Sequence, residues 1–133
     1  MIDNNCAYCV EGDLVAKFGI KICELETSKV YLFKEQSHPG RCIVAHKKHV
    51  GDMNELTAEE RAAYFEDVAR VARAIMAVFH PDKVNYGAYG DTGHHLHFHL
   101  CPKYKDEFEW GGVFLMNPDK KYLSDEEYAD MIA

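Results

Sequence analysis

The sequence predicts a mixed fold in which short β-strands accompany one long α-helix. Apolar and polar residues alternate from His95 to Leu100, which is the pattern of a half-buried strand. A capping sequence at Thr57 is followed by apolar residues at helical spacing as far as Phe79. The 133 residues are enough to bury one hydrophobic core without disulfides or other staples.

The composition excludes several classes of protein. The formal net charge of −7 argues against a general nucleic-acid surface, which is normally basic. No stretch approaches a membrane span, and the first residues lack the pattern of a signal peptide. Five cysteines, an odd number, argue against a disulfide framework. We therefore expect a cytoplasmic protein with neither a nucleic-acid nor a membrane partner.

The N-terminal part predicts a β-hairpin. Lys17–Leu25 and Lys29–Phe33 read as two strands joined by a short polar connection. In the first strand, alternation places Phe18, Ile20 and Ile22 on the buried face.

A third strand, Arg41–Ala45, follows a polar loop that closes with Pro39 and Gly40. Behind this strand comes the charged run His46-Lys47-Lys48-His49. Short charged runs are usually solvated turns, but the two histidines here are also candidate metal ligands.

The long helix is marked at both ends. Thr57 and Glu60 form a capping box at its start, and Pro81 ends it. A second capping sequence at Ser124 predicts a short final helix. The predicted core-facing stripe of the long helix consists of Phe65, Val68, Ala72, Ile75 and Phe79.

The histidine-rich stretch lies behind a short fourth strand, Val84–Tyr86, and a glycine-rich loop. The glycines let backbone approach a ligand, but their spacing is not that of a Walker loop or a dinucleotide fingerprint. Neutral imidazoles on one strand face can bind metal, transfer protons or attack phosphorus. The histidines expected on that face are His95, His97 and His99, with Leu96, Phe98 and Leu100 packed beneath them.

Cys6 and Cys9 form a Cys-x-x-Cys pair near the N-terminus. In a cytosolic chain such a pair is redox-active or supplies half of a four-ligand zinc site. A thioredoxin-type pair would follow a strand and begin a helix, which this position does not favour. Two histidines elsewhere would complete a zinc site, and two incidental buried cysteines are the alternative.

The run from Gly90 to Pro102, which reads Gly-Asp-Thr-Gly-His-His-Leu-His-Phe-His-Leu-Cys-Pro, resembles the signature of the histidine triad (HIT) family. The order of hairpin, strand, long helix, strand, glycine loop and histidine strand is similar as well. The resemblance covers residues 6–104 of one domain spanning 1–133, with 105–133 as a C-terminal extension. It implies an α+β fold, in which an antiparallel sheet of about five strands accompanies one long helix and a short C-terminal helix. It also implies a homodimer.

The resemblance implies chemistry at a phosphate. His97 would attack the α-phosphorus of a purine nucleotide or nucleotide conjugate and form a nucleotidyl-histidine, which water resolves. His99 would contact the phosphate. Nucleoside phosphoramidates and dinucleoside polyphosphates are the implied substrates of this hydrolase or transferase. The alternative is a nucleotide-binding or sensor module with little or no turnover.

The resemblance also implies nucleotide-binding residues. Thr92 and Gly93 would complete a phosphate cradle, and Asn85 would lie near the ribose or phosphate. Two positions depart from the family pattern. Asp91 replaces the common glutamine, and its carboxylate would repel a phosphate if ionised. Arg41 stands where many members have histidine, and its guanidinium could bind a phosphate.

A structural zinc is the last implication. In zinc-bearing relatives, a Cys-x-x-Cys pair is joined by a histidine after the third strand and by the first histidine of the triad. The matching residues here are Cys6, Cys9, His49 and His95, with His46 as the competing choice for the third ligand. Such a closed tetrahedral site would stabilise the fold without activating water.

Overall fold

The computed structural model describes residues 6–90, 94–107, 109–116 and 121–133, which are built around a five-stranded sheet. The strands are β1 (Gly19–Glu24), β2 (Ser28–Phe33), β3 (Cys42–His46), β4 (Lys83–Gly87) and β5 (His97–Lys103). Their order is β1-β2-β3-β5-β4, and all neighbours run antiparallel. The described helices are α1 (Ala7–Val10), α2 (Asp13–Ala16), α3 (Ala58–Phe79) and α4 (Asp125–Ile132), with a 3₁₀ turn at Met53–Glu55. The predicted α+β fold is confirmed.

Hydrogen-bonding side chains fix the start of α3 and tie this helix to the β1–β2 hairpin. Thr57 and Glu60 exchange both hydrogen bonds of the predicted capping box. Further along, the Asp67 carboxylate accepts from the Thr27 backbone N–H at 3.0 Å and the Thr27 hydroxyl at 2.7 Å. It also accepts from the Ser28 hydroxyl at 2.9 Å. A buried carboxylate is tolerated when it is hydrogen-bonded this fully.

α3 covers one face of the sheet, and its buried stripe differs from the prediction at one position. Tyr64 is 0% exposed, whereas Phe65 is 38% exposed, so the prediction that Phe65 lies in the core is wrong. Tyr64 lies deeper because its hydroxyl donates to the Val44 carbonyl at 2.7 Å, while the Phe65 ring packs edge-on against Phe98 at the rim. The other predicted members, Val68, Ala72, Ile75 and Phe79, are buried in this core or packed against it.

α1 and α2 cover the opposite face of the sheet. Tyr8 and Val15 from these helices form a second apolar cluster with residues of β2 and β3. Phe18 packs against this cluster, whereas Ile20 and Ile22 pack on the α3 side. The prediction that these three side chains share one face is therefore wrong. β1 begins one residue after Phe18, so the alternation of the strand does not govern that side chain.

The loop between β2 and β3 is polar, as predicted, but much of it is buried. Glu35 and Gln36 are each 1% exposed. The Lys121 backbone contacts both, because its N–H donates to the Glu35 carboxylate at 2.5 Å and its carbonyl accepts from the Gln36 N–H at 2.7 Å. The Tyr128 hydroxyl donates to the Lys34 carbonyl at 2.7 Å. Residues from the C-terminal part of the chain therefore cover this loop.

The longest helix, α3, has 22 residues but carries charged side chains along its length. In the part of the chain that the structure describes, no helix has both the length and the apolar character needed to cross a lipid bilayer.

Candidate active site and metal centre

The predicted histidines lie on the side of the sheet that α1 and α2 cover. β5 begins at His97, so the prediction of one strand through all three histidines is wrong at His95, which precedes the strand. The Tyr8 ring still packs against both, with centroid distances of 5.3 Å to His95 and 5.1 Å to His97. The His97 and His99 centroids are 5.4 Å apart, so these two imidazoles lie side by side. The apolar residues Leu96, Phe98 and Leu100 pack into the α3-side core, as predicted.

A backbone hydrogen bond determines which ring nitrogen of His97 is available. Nδ1 of His97 lies 2.7 Å from the carbonyl oxygen of His95. Because a carbonyl oxygen only accepts, Nδ1 carries the proton and Nε2 of the neutral ring keeps its lone pair. Burial lowers the pKa of His97, which favours this neutral form. His97 is therefore suited to nucleophilic attack through Nε2.

His99 is enclosed by aromatic rings and one guanidinium group. Three rings lie near its imidazole, at centroid distances of 5.2 Å for Phe33, 6.3 Å for Tyr89 and 6.4 Å for Phe114. Nη2 of Arg41 lies 3.1 Å from Nδ1 of His99. Burial, and after it the charge of Arg41, lowers the pKa of His99 to about 2. His99 is therefore neutral at physiological pH.

Arg41 precedes β3, and its side chain is completely buried. Its Nη1 donates to the Leu115 and Met116 carbonyls, at 2.9 Å each, in addition to the contact of Nη2 with His99. Burial lowers the pKa of the Arg41 guanidinium. Phosphate binding by Arg41 stays a prediction.

Four predicted metal ligands come together beside Tyr8. Nδ1 of His95 lies 3.2 Å from Sγ of Cys6 and 3.1 Å from Nδ1 of His49. Sγ of Cys9 lies 3.3 Å from Nδ1 of His49, and all four ligand atoms fall within 4.8 Å of one another. Ligands about 2.0–2.3 Å from one tetrahedral zinc are about 3.3–3.8 Å apart. The donor set and its spacing therefore suit a metal ion of this kind.

The second ring nitrogen of His95 orients it as a ligand. Nε2 of His95 donates to the His46 carbonyl at 2.6 Å, and such an outer hydrogen bond leaves Nδ1 unprotonated for a metal. The His46 ring instead packs against Tyr64, and its Nδ1 accepts from the Lys48 N–H at 2.9 Å. Of the two candidates for the third ligand, the cluster contains His49 and not His46.

Among the other predicted nucleotide-binding residues, Asn85 lies in the described part of the chain. It is half-buried in β4 and pairs with Cys101, two positions along the ladder from the pair formed by Gly87 and His99. Paired residues of antiparallel strands point to the same face, so Asn85 lies on the histidine face. The remaining residues, Asp91, Thr92 and Gly93, lie outside the described ranges, and their roles stay predictions.

The sequence analysis missed the aromatic residues around the histidines. The position of Tyr8 between the two cysteines was the one feature of the sequence that could have placed it near the histidines. Phe114 belongs to a segment without a recognisable motif, and its ring meets that of Tyr89 at 6.1 Å. Gly87 makes room for this contact, because a Cβ there would lie 2.8 Å from the Tyr89 ring and 2.9 Å from the Phe114 ring.

Comparison with known families decides the assignment. Residues 19–106 match the family model described as the HIT domain. The chain belongs to the HIT family. The matched part of this HIT chain contains His49 and the three histidines of the triad, but neither Cys6 nor Cys9. It also ends before residues 109–116, which supply Phe114 and the carbonyl partners of Arg41.

Individual relatives agree with the family assignment. The HIT chain is 30% identical to the Bacillus subtilis protein named Protein hit over 122 residues, covering 86% of this chain and 82% of that protein. It is 29% identical over 116 residues to the Schizosaccharomyces pombe protein named adenosine 5′-monophosphoramidase, with 80% of each chain covered. A histidine triad protein from Bradyrhizobium japonicum has a TM-score of 0.82 at 20% identity, covering 91% of this chain and 90% of that one. At that identity the likeness supports the fold alone.

Proposed function

We propose that this HIT protein is a hydrolase or transferase that acts at the α-phosphate of nucleoside phosphoramidates or dinucleoside polyphosphates. The observation that carries the proposal is the hydrogen bond from His97 Nδ1 to the His95 carbonyl at 2.7 Å, which leaves Nε2 with its lone pair. The name of the Schizosaccharomyces pombe relative, a monophosphoramidase, supports the same class of substrate. A purine nucleotide or nucleotide conjugate is the proposed ligand.

The reaction runs in two displacements at phosphorus. His97 Nε2 attacks the α-phosphorus, the bond from phosphorus to the leaving amine or phosphate breaks, and the leaving group departs with its electron pair and takes up a proton. Water then attacks the nucleotidyl-histidine, releases the nucleoside monophosphate and regenerates neutral His97. Neutral imidazole is both a good nucleophile and a good leaving group near neutral pH.

The phosphate would be held around these two histidines. His99 contacts it from the same face, and the proposed binding residues are Asn85, Asp91, Thr92 and Gly93. Backbone and side-chain donors of this kind stabilise negative charge that moves during phosphoryl transfer. The supporting geometry is the register that places Asn85 on the histidine face.

A second candidate function is nucleotide binding with little turnover. It is favoured by Asp91, where the family commonly has glutamine, because an ionised carboxylate lacks the N–H that an amide could donate to the leaving group. Intact-protein mass spectrometry after mixing with an adenosine phosphoramidate separates the two functions. An enzyme gives one adduct of nucleotidyl mass that disappears in His97→Ala. If calorimetry shows binding but wild type forms no adduct and releases no adenosine monophosphate, the sensor function replaces the enzyme.

We also propose that Cys6, Cys9, His49 and His95 hold a structural zinc ion. The support is the mixed set of two thiols and two imidazoles, at separations that fit a tetrahedral site. With all four positions filled by protein, the ion supplies stability instead of activated water. Tyr8 lies between the two cysteines and against His97, so the site would fix the wall of the nucleotide pocket.

The proposed assembly is a homodimer in the cytoplasm. β4 is an outer strand of the described sheet, and Tyr86 on it is 52% exposed. Met76 and Val78 on α3 are exposed as well. An open strand edge and exposed apolar side chains favour pairing with a second copy. Light scattering at low micromolar concentration should report twice the chain mass of 15.2 kDa, and a clean monomer would refute the dimer.

A further inference from the structure

A buried arginine lies between the active site and the C-terminal part of the chain. The Arg41 side chain is completely buried, and its guanidinium lies 4.4 Å from the centroid of the Phe33 ring and 4.8 Å from that of Phe114. Among the described residues, no carboxylate forms an ion pair with it. A buried cation with these surroundings depends on the neutral acceptors that its N–H groups reach.

Those acceptors are carbonyl oxygens, an imidazole nitrogen and the Sδ of Met116, which lies 3.4 Å from Nη2. On one side, Nη1 donates to the carbonyls of Leu115 and Met116, at 2.9 Å each. On the other side, Nη2 lies 3.1 Å from Nδ1 of His99. A guanidinium has donors and no acceptor, so this contact is a hydrogen bond only when Nδ1 of His99 is unprotonated. The neutral ring must then carry its proton on Nε2.

We propose that Arg41 is a positioning residue that holds His99 as the Nε2–H tautomer, ready to donate a hydrogen bond to a phosphate oxygen or to the leaving group. The identity of the group that accepts from His99 rests on the proposed function. The tautomer of His99 does not, because it follows from the contact with Arg41. His97 is held in the opposite tautomer by the His95 carbonyl. Two neighbouring histidines on one strand thus present a lone pair and a proton to the same phosphate.

The electrostatics support this division. A guanidinium beside Nδ1 opposes protonation of His99, and burial acts in the same direction on the pKa. The Phe33 and Phe114 rings that pack against the guanidinium of Arg41 restrict its plane, so its donor keeps one direction. A fixed donor next to the reacting phosphate needs no reorganisation during the reaction.

The competing explanation is that Arg41 only anchors residues 109–116. Lys103 offers the matched comparison, because this buried cation anchors the same residues through hydrogen bonds to the Glu109 and Gly112 carbonyls. Lys103 lies four residues beyond His99 on β5, about 13 Å along the strand. Removing its charge disturbs the anchoring without removing the donor at His99.

Nitrogen-15 NMR of the histidine rings at pH 7 tests the proposal without substrate. In wild type, His99 should show the proton on Nε2 and His97 the proton on Nδ1. Arg41→Met should convert His99 to a tautomer mixture while His97 keeps its signal, and Arg41→Lys, which retains a cationic donor, should restore the wild-type signal. Lys103→Met should leave both signals unchanged.

Kinetics with an adenosine phosphoramidate add a second readout. Arg41→Met should lower kcat about 10-fold or more with KM within 3-fold, because a hydrogen bond made to the transition state is lost. A wild-type His99 protonated on Nδ1 overturns the proposal even if no variant folds. Equal changes of the histidine signals and of kcat in Arg41→Met and Lys103→Met also overturn it. A rise in the KM of Arg41→Met with unchanged kcat overturns it as well, because that result indicates that Arg41 binds the phosphate. If the tautomers are as stated but no turnover occurs, the proposed function fails and the assignment of Arg41 stands.

Discussion

His95 and His99 lie at the two ends of one short row of histidines, and their surroundings differ completely. The end at His95 is a cluster of sulfur and nitrogen atoms, formed with Cys6, Cys9 and His49. The end at His99 is an aromatic enclosure with one cation, Arg41. As proposed, the same type of side chain serves as a metal ligand at one end and as a hydrogen-bond donor at the other. The difference comes from the atom that contacts one nitrogen of each ring.

Three ring contacts support the three proposed roles. His95 donates from Nε2 to the His46 carbonyl and keeps Nδ1 for the cluster. His97 donates from Nδ1 to the His95 carbonyl and keeps Nε2 for attack. His99 accepts at Nδ1 from Arg41. Burial, as the largest cause, lowers the pKa of His95 to about 4 and that of His99 to about 2, so each stays neutral for its role.

The largest expected effect separates His97 from His99 in turnover. His97→Ala should lower kcat by at least about 10³-fold with nucleotide affinity within a few-fold, because the covalent route is lost. His99→Ala should lower kcat by about 10²-fold, since it removes one donor and leaves the nucleophile. Steady-state release of adenosine monophosphate and calorimetric titration measure both quantities. Equal kcat in wild type and His97→Ala would exclude His97 as the nucleophile.

The next effect tests the His95 end alone. Cys6→Ser combined with Cys9→Ser should abolish the bound metal, about one zinc per chain in wild type, and lower Tm by at least about 5 °C. Cys23→Ser is the matched control, because Cys23 is an exposed free cysteine outside the cluster. Elemental analysis of tag-free protein and thermal unfolding give the two readouts. Unchanged metal content and Tm in the double variant would rule out the site.

A smaller effect tests the His99 end through pH. The pKa of His99 is about 2 in the folded protein and near 6.5 when unfolded, so the unfolded chain binds more protons between these values. Its contribution to stability is present above about pH 6.5 and is lost as pH falls toward 2. The titratable and charged groups that face this ring are Arg41, His97 and Tyr89, and a substitution of His99 leaves all three in the chain.

His99→Gln should therefore reduce the dependence of unfolding free energy on pH. The slope between pH 6 and pH 4 should fall by up to about 1.4 kcal/mol per pH unit relative to wild type. Urea unfolding at several pH values measures the slope, and metal loss at low pH affects both proteins alike. Identical slopes would mean that His99 is protonated to the same extent in both states.

Sequence reasoning reached the elements of the fold because they follow from local patterns, whereas the proposed ligands His49 and His95 came from the resemblance to the HIT family. The capping box at Thr57 and the alternation through the histidine strand are set by neighbouring residues, and the structure agrees with each apart from His95. The same reasoning misplaced Phe65, since two adjacent aromatic residues fit the helical stripe almost equally. The Tyr64 hydroxyl, bonded to the Val44 carbonyl, decides between them in the folded state.

The role of Arg41 could not be predicted in the same way. Its partners Leu115 and Met116 are more than 70 residues away in the chain, and both contacts use backbone carbonyls. Backbone carbonyls exist at every position, so no residue type marks them. The sequence identified Arg41 as unusual for the family, but its burial against His99 depends on tertiary packing of residues 109–116.

We propose that His97, alone among the three histidines, attacks the nucleotide. The direct measurement is peptide mapping of protein mixed with an adenosine phosphoramidate and quenched in alkaline denaturant, which preserves a phosphorus–nitrogen bond. Wild type and His99→Ala should both carry the nucleotidyl group on His97, and His97→Ala should carry none. A nucleotidyl group on His95 or His99, or an adduct that persists in His97→Ala, would contradict the claim.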